Sequence, residues 1–139
     1  MIILEHEQGT DEWFAARLGK PSASGFGRLI TQTGKPSTQS RKYVAQLVAE
    51  TIRGCGEPVY VNEWMQRGND LEPEAREAYE YISGNEVIET GFIVTPEFAY
   101  GCSPDGLISD QGGLEIKCPA PTTHAEYMMN PQEGVKRYW

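Results

Sequence analysis

The run Cys102-Ser103-Pro104-Asp105-Gly106-Leu107-Ile108-Ser109-Asp110-Gln111-Gly112-Gly113-Leu114-Glu115-Ile116-Lys117-Cys118 decides the fold. Two β-like stretches, Tyr100 to Ile108 and Gly113 to Cys118, flank a turn of aspartate and glycine, which is the pattern of an antiparallel hairpin. Strand side chains alternate faces, so Glu115 and Lys117 share one face and Leu114, Ile116 and Cys118 the other. The direction of Asp105 depends on the turn. A three-residue loop Asp110-Gln111-Gly112 pairs Ser109 with Gly113 and Asp105 with Lys117, bringing both acids and the lysine to one face. A two-residue loop, Asp110-Gln111, sets Asp105 opposite Ile116 instead.

Two converging carboxylates repel unless a cation sits between them, and an oxygen-rich, water-retaining site of this kind suits Mg²⁺. An amine beside it orients a water or stabilises charge in a phosphoryl transition state. Acid, acid and lysine around a divalent ion is an arrangement for phosphodiester hydrolysis. The commoner fate of a Glu-x-Lys is an ion pair on a solvated hairpin. Pro104-Asp105-Gly106 and the apolar neighbours favour the site, because a merely solvated strand does not need them.

Working outward, the coarse element order is α-α-α-α-β-β-β-α, an α+β pattern. Thr10 with Asp11 and Glu12 caps a short helix through Trp13, Phe14 and Arg17 that stops at Gly19. Pro21 to Ser24 starts a second helical turn toward Ile30, and Thr31 to Ser40 reads as a loop. Val44, Leu47, Val48 and Ile52 fall at helical spacing and form the buried face of a helix ending at Gly54. Gly68 to Leu71 reads as a break. Pro73 then takes the first position of a helix ending at Gly84, with Glu72 at its mouth in an extended conformation. Glu86 to Thr95 is the first of the three β-like runs. Thr122 or Thr123 caps a last helix through His124 to Met129.

The 139 residues suit one domain, and the net charge of −8 excludes a protein that coats nucleic acid by bulk electrostatics. The charge is unevenly placed. Residues 17 to 53 carry seven bases and one acid, whereas residues 54 to 115 carry two bases and thirteen acids. Any DNA contact is therefore local to the basic third. No apolar run reaches the ~18 residues of a membrane span, so the expected location is cytoplasmic. Three cysteines without a C-x-x-C pair indicate neither a disulfide framework nor a closed zinc site, and buried free thiols are expected. His6 and His124 lie far from any cysteine at ligand spacing. Trp13, Trp64 and Tyr79 have the chemistry to stack on bases, but aromatics at helical spacing are more often core.

Pro104-Asp105 followed by Glu115-x-Lys117 resembles the signature of the PD-(D/E)xK nuclease superfamily. The wider match resembles its phage lambda exonuclease branch, the YqaJ-type viral recombinases. It takes in Gln8, Trp13, Arg17-Leu18-Gly19, Ala23-Ser24, Trp64, Gly68, Glu72, Ala75 and Leu114 to Pro119. The resemblance implies one domain over residues 1–139 with a restriction-endonuclease-like core: N-terminal helices, a central mixed sheet holding the catalytic hairpin, and a C-terminal helix cut short. It implies that Asp105, Glu115, the Ile116 carbonyl and Glu72 hold Mg²⁺, with Mn²⁺ as a substitute, and that Lys117 works on the attacking water. Arg17 and Ser24 match residues that hold a 5′ phosphate, which suits the bidentate fork of arginine and a serine at a helix start.

The implied activity is 5′-to-3′ exodeoxyribonuclease action on double-stranded DNA ends, feeding single-strand annealing recombination in a phage or prophage within a bacterial host. A single-strand annealing protein and a homo-oligomer, trimeric in the family, are the implied partners. The family's core normally continues past this helix to another strand, so apolar surface near Tyr138 and Trp139 is expected to be exposed. A rival reading is a shortened, non-cleaving module that grips DNA ends or acts as a decoy. A third is a site-specific endonuclease on the same core.

Overall fold

The computed structural model describes residues 1–57, 60–109 and 112–138, and within 135–138 the backbone alone. The turn residues Asp110 and Gln111, and the surface expected at Tyr138 and Trp139, lie outside the described side chains. Two compact units are present, one of Met1–Pro58 with Ile88–Leu114 and the other of Val59–Val87 with Glu115–Trp139.

The first unit is built on β1 (Ile2–Leu4), α1 (Asp11–Arg17), a 3₁₀ turn (Ala23–Arg28), α2 (Ser40–Arg53), β2 (Phe92–Val94), β3 (Gly101–Cys102), β4 (Gly106–Ile108) and β5 (Gly112–Leu114). β2 pairs antiparallel with β1 on one side and β3 on the other, while β4 and β5 form a hairpin. Flanked on both edges, Phe92, Ile93 and Val94 are all buried and form the core with Tyr43 and Leu47. A single parallel bridge joins Ser22 to Gly101. At Gly91 a Cβ would meet the carbonyl oxygens of Leu4 and His6 at 2.3 Å, so only glycine admits this close backbone approach.

α1 begins as its sequence dictates: Thr10 Oγ1 accepts from the Trp13 amide at 3.3 Å, and Asp11 and Glu12 lie in the first turn. Gly19 takes φ +67° and has the Thr51 hydroxyl where a Cβ would stand, so it both ends this segment and lets it lie against α2. α2 ends at Gly54 as expected, but its buried face differs from the expected one. Tyr43 and Leu47 are buried, whereas Val44 and Val48 are exposed and Ile52 is 81% exposed. The Tyr43 hydroxyl fills the space left by the missing side chain of Gly25, which turns the helix toward the aromatic ring.

The second unit contains α3 (Glu63–Ser83), the segment from Glu115 to Ala120, α4 (Pro121–Met129) and α5 (Pro131–Tyr138). α3 overturns the expected break at Gly68 to Leu71 and the helix start at Pro73. It runs unbroken for 21 residues with Pro73 inside. The initiating signal lies upstream, where Asn62 Oδ1 accepts from the Met65 amide at 2.9 Å. Pairs at i,i+4 support the helix, Gln66 with Asp70 before the proline and Glu72 with Arg76 across it, each at 2.8 Å. Gly84 ends it in the left-handed conformation, as expected. α4 starts one or two residues before the threonines expected to cap it, because Pro121 occupies the first helical position and needs no donor there.

Candidate nuclease site

Ser103-Pro104-Asp105 occupies a gap in an otherwise regular antiparallel ladder. Before it, Val94 pairs with Gly101 and Ile93 with Cys102; after it, Ile88 pairs with Leu107 through two backbone hydrogen bonds of 2.8 and 2.9 Å. The register is the same on both sides, so no residue is inserted. The expected single run from Tyr100 to Ile108 is instead two short strands, because Pro104 has no N–H to offer the ladder. Gln8 reaches across this gap, its Nε2 donating to the carbonyls of Thr90 and Pro104, both at 2.9 Å. The Thr90 hydroxyl is buried there with no hydrogen-bond partner among the described residues.

The other edge of Asp105 is also irregular. Gly106 is the partner of Leu114, yet the Asp105 amide also donates to the Leu114 carbonyl at 3.0 Å. Two residues thus oppose one, as in a β-bulge, a device that re-aims a side chain at the end of a ladder. The hairpin closes on Ile108 opposite Gly112. Neither expected loop gives that register, and the pairing of Asp105 with Lys117 is replaced by this contact with Leu114. Ser109, at φ +56°, is already part of the reversal.

Arg17 is tied to the same loop. Its Nη1 donates to Ser103 Oγ at 3.3 Å, and its guanidinium carbon sits 4.0 Å from the centre of the Trp13 ring, whose own Nε1 donates to Ser103 Oγ at 3.0 Å. Burial pushes the Arg17 guanidinium below its ordinary pKa, and Tyr43 partly opposes that shift. Ser24 lies in the 3₁₀ turn, which is anchored two residues back along the strand: the Gly101 amide donates to the Pro21 carbonyl at 3.1 Å. The Ser24 hydroxyl is exposed and stands 3.2 Å from that of Ser22. Arg17 is therefore tied to Ser103, just past β3, while Ser24 follows three residues after the Pro21 carbonyl that β3 holds. Of the neighbouring bases, Arg28 is engaged by Gln46 and the Tyr43 ring, and Arg53 by Glu57. Lys35, Arg41 and Lys42 are exposed.

In the second unit, Glu115 to Cys118 continue the alternation expected of a strand. Glu115 and Lys117 are exposed and Ile116 and Cys118 are half-buried, although the strand itself ends at Leu114. The Lys117 ammonium contacts Glu115 Oε1 and also donates to the Ile116 carbonyl at 3.2 Å. A carboxylate and a main-chain oxygen thus converge on one cation, and these are the hard oxygen donors that a divalent ion such as Mg²⁺ prefers. Among the described residues no group of three or more His, Cys, Asp or Glu side chains gathers as a metal site.

Glu72 lies inside α3 rather than at a helix mouth, with its carboxylate 2.8 Å from Arg76. Arg67, five residues earlier on α3, donates to the carbonyls of Cys118 at 3.3 Å and Pro119 at 3.0 Å, tying the helix to the end of the Glu115–Lys117 segment. The cysteines are not the buried thiols expected: Cys55 is exposed, and Cys102 and Cys118 are half-buried. Trp64 is 60% exposed rather than core. Gln8, Ser103 and Arg67 had no chemical role in the sequence reading. Gln8 gains its role because the Asp105 amide, opposite Thr90, turns to Leu114 and leaves the Thr90 carbonyl to another donor.

The model of the YqaJ-like viral recombinase domain matches residues 12–139. Among solved structures, the chain is similar to an alkaline exonuclease, LHK-Exo, from Laribacter hongkongensis. The two share 41% identity at a TM-score of 0.75, over 88% of this chain and 60% of that one. The same enzyme in complex with dAMP matches at a TM-score of 0.76 with the same identity and coverage. This chain thus spans 60% of the length of the enzyme it resembles. No curated protein matches it. The α+β architecture is that of a nuclease-like fold, and the chain belongs to the family of YqaJ-like viral recombinase domains.

Proposed function

We propose that this protein is a Mg²⁺-dependent exodeoxyribonuclease that degrades the 5′ strand of double-stranded DNA from its ends. The observation that carries the reading is the match of the YqaJ-like viral recombinase domain to residues 12–139, which include the triplet Glu115-Ile116-Lys117. That triplet directly follows Leu114, to whose carbonyl the Asp105 amide is bonded. The match to an alkaline exonuclease, also seen in complex with a deoxynucleotide, supports DNA as the substrate.

In this reading Asp105, Glu115, the Ile116 carbonyl and Glu72 hold Mg²⁺, with Mn²⁺ as a substitute. The ion supplies Lewis-acid stabilisation of the charge that builds on the scissile phosphate. Lys117 leaves its acceptors, holds the attacking water by hydrogen bond and offers positive charge to the transition state. Arg17 takes the terminal 5′ phosphate by a charge-assisted fork, with the Ser24 hydroxyl beside it, and this sets the 5′ polarity. The exposed Lys35, Arg41 and Lys42 supply local positive charge for the duplex on a chain that is acidic overall. The exposed single strand then feeds annealing-type recombination with an annealing protein, and the enzyme works as a homo-oligomer.

Digestion of linear duplex carrying a 5′ phosphate, with Mg²⁺ and with EDTA, tests this directly. The expected result is Mg²⁺-dependent release of 5′ mononucleotides, with closed circular DNA left intact. Binding of ends without any product would favour the non-cleaving module, and cutting of the circle would favour an endonuclease.

A further inference from the structure

We infer that Gln8 is a positioning residue for Asp105. Its carboxamide supplies the two donors that the backbone ladder cannot provide beside Pro104, and so fixes the acid that follows. This rests on the reading of Asp105 as a metal-holding acid.

The segment 88–94 runs antiparallel to 101–107 in one register, which sets Thr90 opposite Asp105 and Gly91 opposite Pro104. Proline has no amide hydrogen, and the Asp105 amide, which lies opposite Thr90, turns to Leu114 instead, so the ladder does not close at that step. The carbonyls of Thr90 and Pro104 remain as two acceptors facing a gap. A glutamine NH₂ carries two hydrogens, and Gln8 Nε2 gives one to each at 2.9 Å. Gln8 can reach the gap because the chain from Leu4 to His6 is pressed against Gly91, leaving room for no side chain there. The other neighbour of Asp105 is held by its own amide, bonded to Leu114. Asp105 is thus fixed at its backbone from two sides, one of them by a side chain 96 residues away from the carbonyl it binds. Partners that orient a metal-holding group typically change metal affinity or turnover by about 10- to 100-fold when removed.

The test uses the full chain with Gln8→Met, which keeps the length of the side chain and removes both donors, and Gln8→Lys, which restores donors at similar reach. The measurements are Mn²⁺ affinity by isothermal titration calorimetry without DNA, and the separate kcat and KM on 5′-phosphorylated duplex. Gln8→Met is expected to weaken Mn²⁺ binding and lower kcat by about tenfold or more, with KM nearly unchanged because Arg17 and Ser24 are untouched. Gln8→Lys is expected to recover much of both losses. If Gln8→Met binds Mn²⁺ and turns over like the wild type, the inference is wrong while the nuclease reading stands. A loss in KM alone, or a loss that Gln8→Lys does not restore, also overturns it. A wild-type chain that neither binds Mn²⁺ nor cuts DNA removes the nuclease reading, and the inference with it.

Discussion

The two stretches that carry the acids are held in different ways. Ser103-Pro104-Asp105 is braced by side chains from far along the chain: Gln8, Trp13 and Arg17 all reach it, across 82 or more residues of sequence. Within Glu115-Ile116-Lys117, by contrast, the side-chain contacts that engage the glutamate and the lysine span at most two residues, and those side chains are 59% and 41% exposed. An exposed ion pair of this kind contributes roughly 0–1 kcal/mol, so it can exchange partners cheaply. The braced loop suits a group that must be aimed once, and the local triplet suits groups that trade one cation for another.

Lys117→Ala breaks the contrast most severely. It is expected to lower cleavage by about 10²- to 10⁴-fold while leaving DNA-end binding and thermal stability close to wild type, read by turnover, gel shift and melting. An equally large fall in melting temperature would show that the triplet is structural. Arg17→Gln strikes the braced side. It is expected to reduce the preference for a 5′ phosphate over a 5′ hydroxyl by roughly 10- to 100-fold, the span of a hydrogen bond to a charged group. Burial holds the Arg17 pKa below its unfolded value, so its charge costs stability wherever it is protonated, and that cost fades only as pH rises through the folded value. Phosphate paired with it offsets the cost, so inorganic phosphate should raise the melting temperature of the wild type more than that of Arg17→Gln. The smallest effect is expected at Pro73, on the helix that carries Glu72. Pro73→Ala restores a missing donor in α3 and is expected to add about 1–3 kcal/mol of stability, measured by denaturant unfolding, without changing the 5′-phosphate preference.

Local chemistry made several elements readable in advance. The Thr10 cap, the glycine stops at Gly19, Gly54 and Gly84, and the alternation from Leu114 to Cys118 all express rules that act within a few residues. Three features were not readable in this way. The direction of the α2 face was set by Tyr43 meeting Gly25, a contact between segments. The continuity of α3 through Pro73 was set by a cap eleven residues earlier, and the cost of one interior proline, about 3 kcal/mol, was outweighed by the rest of the helix. The hairpin register was set by a reversal that already includes Ser109, at φ +56°, a conformation that its residue type does not signal. The candidate residues were legible by type and spacing. Their bracing by Gln8, Trp13 and Arg67 was not, because those partners sit 51 to 96 residues from the atoms they bind.

Calorimetric titration of Mn²⁺ into the wild type, Asp105→Asn and Glu115→Gln, all without DNA, bears most directly on whether these oxygens hold a divalent ion. The account predicts saturable uptake by the wild type that is lost or severely weakened in both variants; wild-type uptake that persists unchanged in both, or no uptake at all, contradicts it.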